Sequence, residues 1–237
     1  APVDTAQTYN MQIDNTNVYS NDGVQLDRPY FLTVQNETDE TSQPMDPMSG
    51  LSSRLFHDFS VADENWSWRK GDSYGEILTD PGVLAVHSLF LENEGDKAYL
   101  KRYPYQVPEG DVAARVTLEY PDAESNLLSG LFMCNAAGTP VAVIMIDRYG
   151  GLRCYAPGSS NTSMRKVVER AVPDIDSDSI TLALRREGPM MCYCVNGTVF
   201  ARENVSGYEI TNAGIMVEAC HWDRQMTVHF DDFEIAY

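Results

Sequence analysis

Long apolar runs are absent from this 237-residue chain. The longest apolar stretch, residues 141–146, has the length of one strand, whereas a bilayer-spanning helix needs about 20 apolar residues. The first residues also lack the basic and apolar zones of a signal peptide, and the chain begins at Ala1 without an initiator Met. We therefore predict no membrane insertion, and we expect a processed or trimmed N-terminus.

Basic residues are scarce. The chain has 17 Lys and Arg against 35 Asp and Glu, which gives a formal net charge of −18. Because nucleic-acid affinity depends on Lys and Arg that neutralise phosphates, the sequence predicts no nucleic-acid partner. An acidic surface is compatible with neutral or cationic ligands and with Ca²⁺, which takes oxygen ligands from Asp, Asn and backbone carbonyls.

The five cysteines include no C-x-x-C pair, and their number is odd. Neither a complete disulfide framework nor a zinc ribbon is therefore indicated. Cys192 and Cys194 alternate around Tyr193, which places both thiols on one face of a strand. We interpret the cysteines as small buried hydrophobic residues, and one disulfide or a metal site is the alternative.

Helical periodicity is missing after Leu55. Short apolar segments separated by turn residues indicate an all-β sandwich or barrel. In residues 111–120 the alternation predicts that Arg115, Thr117 and Glu119 face solvent. Candidate strands lie at residues 56–61, 82–88, 98–103, 111–120, 128–134, 141–147, 151–155, 164–171, 179–186, 190–195, 198–202, 214–220 and 226–235.

Turn residues support antiparallel pairing. Asn196-Gly197 is the preferred pair for a type I′ hairpin turn, and Gly150-Gly151 predicts another reversal after Tyr149. In the last strand the apolar parity changes across Asp231-Asp232, and a one-residue insertion would explain this change. The sequence therefore predicts a β-bulge at the Asp pair.

Residues 1–53 differ in composition from the rest of the chain. They are rich in Asn, Asp, Gln, Ser and Thr and end in a Pro- and Gly-containing stretch, which is typical of a linker. Residues 24–35 nevertheless have the β-branched and aromatic content of a strand. We predict a polar arm at residues 1–53, partly ordered with one strand near 24–35, and a β-sandwich domain at residues 54–237.

The order of several fragments resembles a known fold family. The fragments are residues 56–60 (FHDFS), Trp66, and residues 82–84 (GVL), 180–185 (ITLALR), 193–197 (YCVNG) and 231–235 (DDFEI). Over residues 55–237 the chain resembles bacterial laminin G-like and concanavalin A-like domains, including a domain of unknown function found in secreted sugar-processing proteins. The resemblance implies a two-sheet antiparallel jelly-roll β-sandwich and a secreted or cell-surface, extracytoplasmic location.

Three functions are compatible with this fold, because fold alone does not determine function. The first is a non-catalytic carbohydrate-binding or adhesion domain, the second is a sugar-acting hydrolase or lyase, and the third is a structural protein–protein interaction module. A retaining glucanase needs two carboxylates about 5 Å apart, which a Glu-x-Asp-x-Glu strand would supply. The nearest match, residues 92–96, contains Asn93 and Gly95 and is predicted to be a turn. We predict no catalytic residue.

Carbohydrate recognition uses aromatic faces for sugar C–H surfaces and polar side chains for hydroxyl groups. Aromatic residues near polar ones are therefore candidates, and so is the turn before the last strand, since rim loops of sandwiches often bind ligands. Ordinary packing within strands is the alternative for each of them. The candidate ligand-binding residues are Trp68, Tyr74, Tyr103, Tyr105, Tyr149, Trp222, Asp223 and Arg224.

No organic cofactor is predicted. Asp58 and Asp232 belong to the first and last segments of the predicted sandwich. With backbone carbonyls they are candidate ligands of a structural Ca²⁺ ion. The alternative is that these carboxylates cap unpaired backbone amides at the bulge.

Overall fold

The computed structural model describes residues 8–13, 30–35, 44–70, 73–88, 98–122, 127–158, 163–218 and 226–237. The chain divides into two compact units, residues 1–43 and 44–237. In the first unit, β1 (Thr8–Ile13) pairs antiparallel with β2 (Tyr30–Gln35). The described part of the chain consists of strands and their connections, and it holds no apolar helix with the length of a bilayer crossing.

The strands of the second unit are β3 (Ser53–His57), β4 (Trp68–Lys70), β5 (Ser73–Leu78), β6 (Val83–Ser88), β7 (Ala98–Arg102), β8 (Val112–Glu119), β9 (Leu128–Cys134), β10 (Pro140–Ile146), β11 (Gly151–Pro157), β12 (Met164–Ala171), β13 (Ile180–Glu187), β14 (Met190–Val195), β15 (Thr198–Asn204), β16 (Asn212–Glu218) and β17 (Met226–Ala236). Some of them, such as β8 and β11, alternate buried and partly exposed residues, and others, such as β9 and β10, are buried nearly throughout.

These strands form two antiparallel sheets. The six-stranded sheet has the order β12-β11-β10-β9-β16-β7, and the nine-stranded sheet has the order β15-β14-β13-β8-β17-β6-β5-β4, with β3 also pairing with β17. Along the described strands the chain changes sheets six times, at the connections β6–β7, β7–β8, β8–β9, β12–β13, β15–β16 and β16–β17. Strands that are neighbours in sequence therefore often lie in opposite sheets, which is the arrangement of a jelly roll.

The main core lies between the two sheets. In β8, Val116 and Leu118 are fully buried, while Arg115, Thr117 and Glu119 face outward, as the alternation predicts. The Tyr120 hydroxyl, which is buried in this core, donates a hydrogen bond to the Ile146 carbonyl of the opposite sheet. The Tyr120 hydroxyl thus has the partner that its burial requires.

The predicted turn and bulge are confirmed. Asn196 and Gly197 have φ values of 47° and 73°, which a type I′ turn requires at both central positions. The pairing of β17 with β8 shifts between Asp231 and Glu234, and Asp232 adopts a φ of 49°. The Asp231 carboxylate accepts a hydrogen bond of 2.7 Å from the Asp232 N–H, so a side chain of the pair caps the bulge.

Residues 44–51, which we call the strap, cross the outward face of β13, β14 and β15. The Met45 N–H donates to the Gly197 carbonyl at 2.7 Å, and Pro44 forms a β-bridge with Thr198. The Met45 sulfur lies 4.0 Å from the Cys194 thiol. The strap thus encloses a small apolar cluster on the outside of the nine-stranded sheet.

The four described cysteines are free thiols and are buried, which agrees with their interpretation as small hydrophobic residues. Burial raises the pKa of the Cys194 thiol to about 12, so it stays protonated at neutral pH. Cys220 lies outside the described residues.

Candidate functional site

A groove of about 440 Å³ lies on the outward face of the nine-stranded sheet, beside the strap. Strands β8, β13 and β14 provide its floor, strap residues 45–47 form one wall, and the turns at the ends of the strands provide its rim. The residues that line the groove include Arg115, Ser179, Thr181, Ala183 and Asn196.

One row of side chains connects this groove with the β3 side of the sheet. Phe56 on β3 lies opposite Glu234, Glu234 lies opposite Arg115, and Arg115 lies opposite Ala183. Because neighbouring strands are about 4.8 Å apart, three steps place Phe56 roughly 14 Å from Ala183. We call this row together with the groove the Arg115 groove.

Phe56 presents an aromatic side chain at one end of the Arg115 groove. Its relative exposure is 52%, whereas its neighbour Leu55 packs against the core. Single exposed apolar residues are common on protein surfaces, so exposure alone is no argument for a site. The position of Phe56, in one row with an ion pair and a polar groove, makes it a candidate for ligand stacking.

Arg115 and Glu234 form an ion pair in the middle of the row. Arg115 Nη2 lies 2.6 Å from Glu234 Oε2, and the side chains are 35% and 11% exposed. The pairing offsets the cost of burying the carboxylate. Among the described residues Glu234 is the one hydrogen-bond partner of this guanidinium, and an arginine side chain has five N–H groups. Several donors are thus available to a ligand.

The rim of the groove adds uncharged polar groups. Asn196 Oδ1 accepts a hydrogen bond of 2.8 Å from the Thr181 N–H, which fixes the orientation of the side-chain amide. In the described part of the chain, no partner engages the Asn196 amide nitrogen or the hydroxyls of Thr181 and Ser179. These groups are donors and acceptors of the kind that bind sugar hydroxyls.

Three of the predicted aromatic residues, Trp68, Tyr103 and Tyr105, pack against the core. The Trp68 indole fills the space beside Gly75, where a Cβ would lie 2.1 Å from Trp68 Nε1. The Tyr103 ring lies 5.3 Å from that of Trp66, and its hydroxyl donates to Asp63 at 3.5 Å. The side chains of Trp68 and Tyr103 therefore occupy packing positions. Ordinary packing within a strand is the alternative to ligand binding that applies to any aromatic residue in a strand.

Tyr74, Tyr105 and Tyr149 lie at three separate places. Tyr74 faces outward between Arg69, whose guanidinium is 5.1 Å from the ring, and His87, whose ring is 4.5 Å away. The Tyr105 hydroxyl lies 2.6 Å from that of Tyr237. Tyr149, at the β10–β11 turn, is 63% exposed. The structure therefore does not bring the predicted aromatic residues together.

The predicted ligand-binding segment Trp222, Asp223 and Arg224 lies outside the described residues, as do residues 92–96. Among the described strands, β17 has Asp232 and Glu234 at alternate positions, but Asp232 lies at the bulge with a φ of 49° and Glu234 is paired with Arg115. In β10 the outward positions hold Val143 and Met145, which are 3% and 1% exposed. Neither side chain can transfer a proton, so this strand cannot supply the carboxylate pair of a retaining glucanase.

Asp58 and Asp232 lie near one end of the nine-stranded sheet. Asp58 Oδ1 accepts hydrogen bonds from the Ser60 hydroxyl at 2.7 Å and the Ser60 N–H at 3.1 Å, and these bonds lower the pKa of Asp58. Burial raises the pKa of Asp231, and the charges of Asp232, Asp58 and Glu119 raise it further. Within the described ranges, no group of three or more His, Cys, Asp or Glu is arranged around a metal position.

No protein-family model matches the chain, and no curated protein matches its sequence significantly. Solved structures do match the sandwich. SCLam, a non-specific endo-β-1,3(4)-glucanase from family GH16, shares 12% identity at a TM-score of 0.57, over 83% of this chain and 95% of that one. The CBM2 module of Lactobacillus casei BL23 phage J-1 evolved Dit shares 9% identity at a TM-score of 0.54, over 79% and 96% of the two chains.

A sialidase matches at 7% identity and a TM-score of 0.53, over 78% of this chain but 18% of its own length. At such identities the similarity establishes the fold and nothing more. The fold is the concanavalin A-like jelly-roll β-sandwich, as the sequence predicts.

Proposed function

We propose that residues 44–237 form a non-catalytic carbohydrate-binding domain that holds a neutral oligosaccharide in the Arg115 groove. One observation carries the proposal: the half-exposed Phe56 ring, the Arg115–Glu234 ion pair and a groove of about 440 Å³ lie in one row of the sheet. The same proposal includes an extracytoplasmic location.

The chemistry of the row suits a sugar. The Phe56 ring offers an apolar face for sugar C–H groups, and Arg115, Thr181 and Asn196 offer hydrogen bonds to hydroxyls. The charges of Arg115 and Glu234 cancel, and Asp46 on the wall adds one negative charge. Since the whole chain carries a net charge of −18, an anionic sugar would be repelled from this groove.

The names of two matched structures indicate which ligands to test first. One is an endo-β-1,3(4)-glucanase and the other a CBM2 module. We therefore choose β-1,3- and mixed β-1,3(4)-linked glucan oligosaccharides as first ligands, with an α-linked glucan oligosaccharide for comparison.

The experiment is isothermal titration of these oligosaccharides into the protein and into Phe56→Ala and Tyr149→Ala variants. Loss of the stacking ring at residue 56 is expected to weaken binding about tenfold, which corresponds to about 1.4 kcal/mol. Tyr149→Ala is the matched control, because it removes an exposed ring at a distant turn. Loss of binding in Tyr149→Ala alone would move the site to the β10–β11 turn, and no binding of any glycan would overturn the proposal.

We also propose Asp58 and Asp232 as ligands of a structural Ca²⁺ ion. Burial, and then the negative charges of Asp232, Asp58 and Glu119, raise the pKa of Asp231; these charges support the proposal because a cation would relieve their repulsion. Backbone carbonyls would have to complete the coordination, since Ca²⁺ takes six to eight oxygen ligands.

A further inference from the structure

A second pocket, of about 330 Å³, lies at the β7–β16 edge of the six-stranded sheet, on the other sheet from the Arg115 groove. Arg102 ends β7, Asn212 begins β16, and the β9–β10 turn closes one side. The described lining residues, which we call the Arg102 pocket, are Arg102, Pro104, Gln106, Ala136, Thr211 and Asn212.

Backbone hydrogen bonds hold the walls of the Arg102 pocket together. The Val107 N–H donates to the Thr211 carbonyl at 2.8 Å, and the Thr211 N–H donates to the Cys134 carbonyl at 2.9 Å. The Tyr103 N–H donates to the Ala213 carbonyl at 3.3 Å. The pocket is therefore formed before a ligand arrives, which lowers the entropic cost of binding.

Asn212 provides a buried donor. The residue is 4% exposed, and its Oδ1 accepts a hydrogen bond of 2.8 Å from the Ala213 N–H. Because the backbone N–H must face the oxygen, the NH₂ group points the other way. Among the described residues no acceptor engages this NH₂ group. Asn212 lines the pocket, so this NH₂ group can donate to an acceptor oxygen of a ligand.

Arg102 is the one charged residue among the described residues that line the pocket. Its Nη1 donates to the Ala136 carbonyl at 3.2 Å, which anchors the guanidinium at the pocket while other N–H groups are left for a ligand. Gln106 and the Thr211 hydroxyl add further donors, and no carboxylate of the described chain lines the pocket. This local excess of donors favours a small anion at the pocket, although the net charge of −18 opposes anions at long range.

We infer that the Arg102 pocket binds the carboxylate of a single uronic acid unit. The planar guanidinium matches a carboxylate by two parallel hydrogen bonds, and Asn212 and Gln106 suit the sugar hydroxyls. A volume of about 330 Å³ admits one small ligand and not an extended chain. This inference does not depend on the Arg115 groove, which has the opposite charge preference.

The test is isothermal titration of glucuronate and galacturonate, with glucose, acetate and sulfate as comparison ligands. Glucuronate or galacturonate is expected to bind, glucose to bind at least tenfold more weakly, and Arg102→Ala to abolish uronate binding, with partial retention in Arg102→Lys. Arg148→Ala is the matched control, since Arg148 is another arginine bonded to a backbone carbonyl, that of Asp122.

Equal affinity for glucose, or unchanged uronate binding by Arg102→Ala, would overturn the inference. Equal affinity for acetate or sulfate would overturn the assignment to a uronic acid. Phe56→Ala is expected to leave uronate binding unchanged, so failure at this pocket is distinguishable from failure at the Arg115 groove. Circular dichroism of each variant confirms that the sandwich is folded.

Discussion

Arg185 on β13 donates a hydrogen bond of 2.9 Å to the backbone oxygen of Pro47, 138 positions earlier in the chain. The same nitrogen donates to the Ser49 oxygen at 2.7 Å. Arg185 is 9% exposed, so its charge lies between sheet and strap, and Glu187 Oε1 lies 2.8 Å from its Nε. This guanidinium therefore holds the wall of the Arg115 groove in place.

Replacement of Arg185 by Met is expected to release the strap. Charged hydrogen bonds of this kind contribute about 1.5–3 kcal/mol each. Because water compensates in part, we expect the free energy of unfolding to fall by about 2–3 kcal/mol in total. Urea denaturation measures this loss of stability. Labelling with a thiol reagent, with the modified cysteine identified by mass spectrometry, would show faster modification of Cys194. Arg165→Ala, at an exposed arginine, serves as control; equal labelling in both variants would contradict the role of Arg185.

Removal of Arg115 alone is expected to be worse for stability than removal of the whole ion pair. Arg115→Met leaves the Glu234 carboxylate, 11% exposed, without its partner, at a cost of about 1–3 kcal/mol. The double variant Arg115→Met/Glu234→Met regains much of that loss because no charge stays buried. Oligosaccharide binding should be weakened in both variants. If the double variant binds the oligosaccharide as the wild type does, the ion pair takes no part in ligand binding.

Asp231 is expected to lower stability at neutral pH. Its pKa is raised in the folded state, first by burial and then by neighbouring carboxylates, so its contribution to stability is lost as the pH rises through the folded-state pKa. Asp231→Asn removes the charge and keeps an oxygen for the Asp232 N–H. We expect a higher urea midpoint at pH 7 and a smaller difference from the wild type at pH 3. Lower stability of the variant at pH 7 would contradict this account.

Calcium is expected to stabilise the sandwich through Asp58 and Asp232. For a domain of this size, each kcal/mol that ion binding adds to the free energy of unfolding raises the unfolding temperature by about 2–4 °C. Scanning calorimetry with Ca²⁺, with Mg²⁺ and with chelator measures the shift. Asp232→Asn keeps a residue that tolerates the φ of 49° while removing the charge, so loss of the Ca²⁺ shift would identify a ligand. An identical shift in wild type and variant would exclude Asp232.

Several strands of the sandwich could be predicted from the sequence. The bounds of β9, β12 and β14 agree with the predicted segments, because turn residues delimit them. The sequence does not predict β1, β4 or β5, and for β4 and β5 the reasons are physical. β4 has three residues, too few for alternation, and β5 contains Gly75, which disfavours a strand in isolation. The Trp68 ring fills the space that a side chain at residue 75 would take, so the glycine is required there.

The Arg115 groove could be predicted only in part. The outward direction of Arg115 follows from the alternation of β8, but nothing in the local sequence says that Phe56 faces solvent. Its direction depends on pairing with β17 beyond the bulge, a contact with residues about 180 positions away. Residue type alone predicts the aromatic candidates. It does not distinguish the packed Trp68 and Tyr103 from the exposed Phe56.

The row from Phe56 to Ala183 joins four strands that are far apart in sequence. Such a groove exists only when the nine-stranded sheet is complete, so a ligand bound there is linked to folding of the whole unit. At a ligand concentration 100 times its Kd, the folded state would gain about 2.7 kcal/mol. Saturation with the correct glycan should then slow amide hydrogen exchange throughout the sandwich, including strands that the ligand never touches.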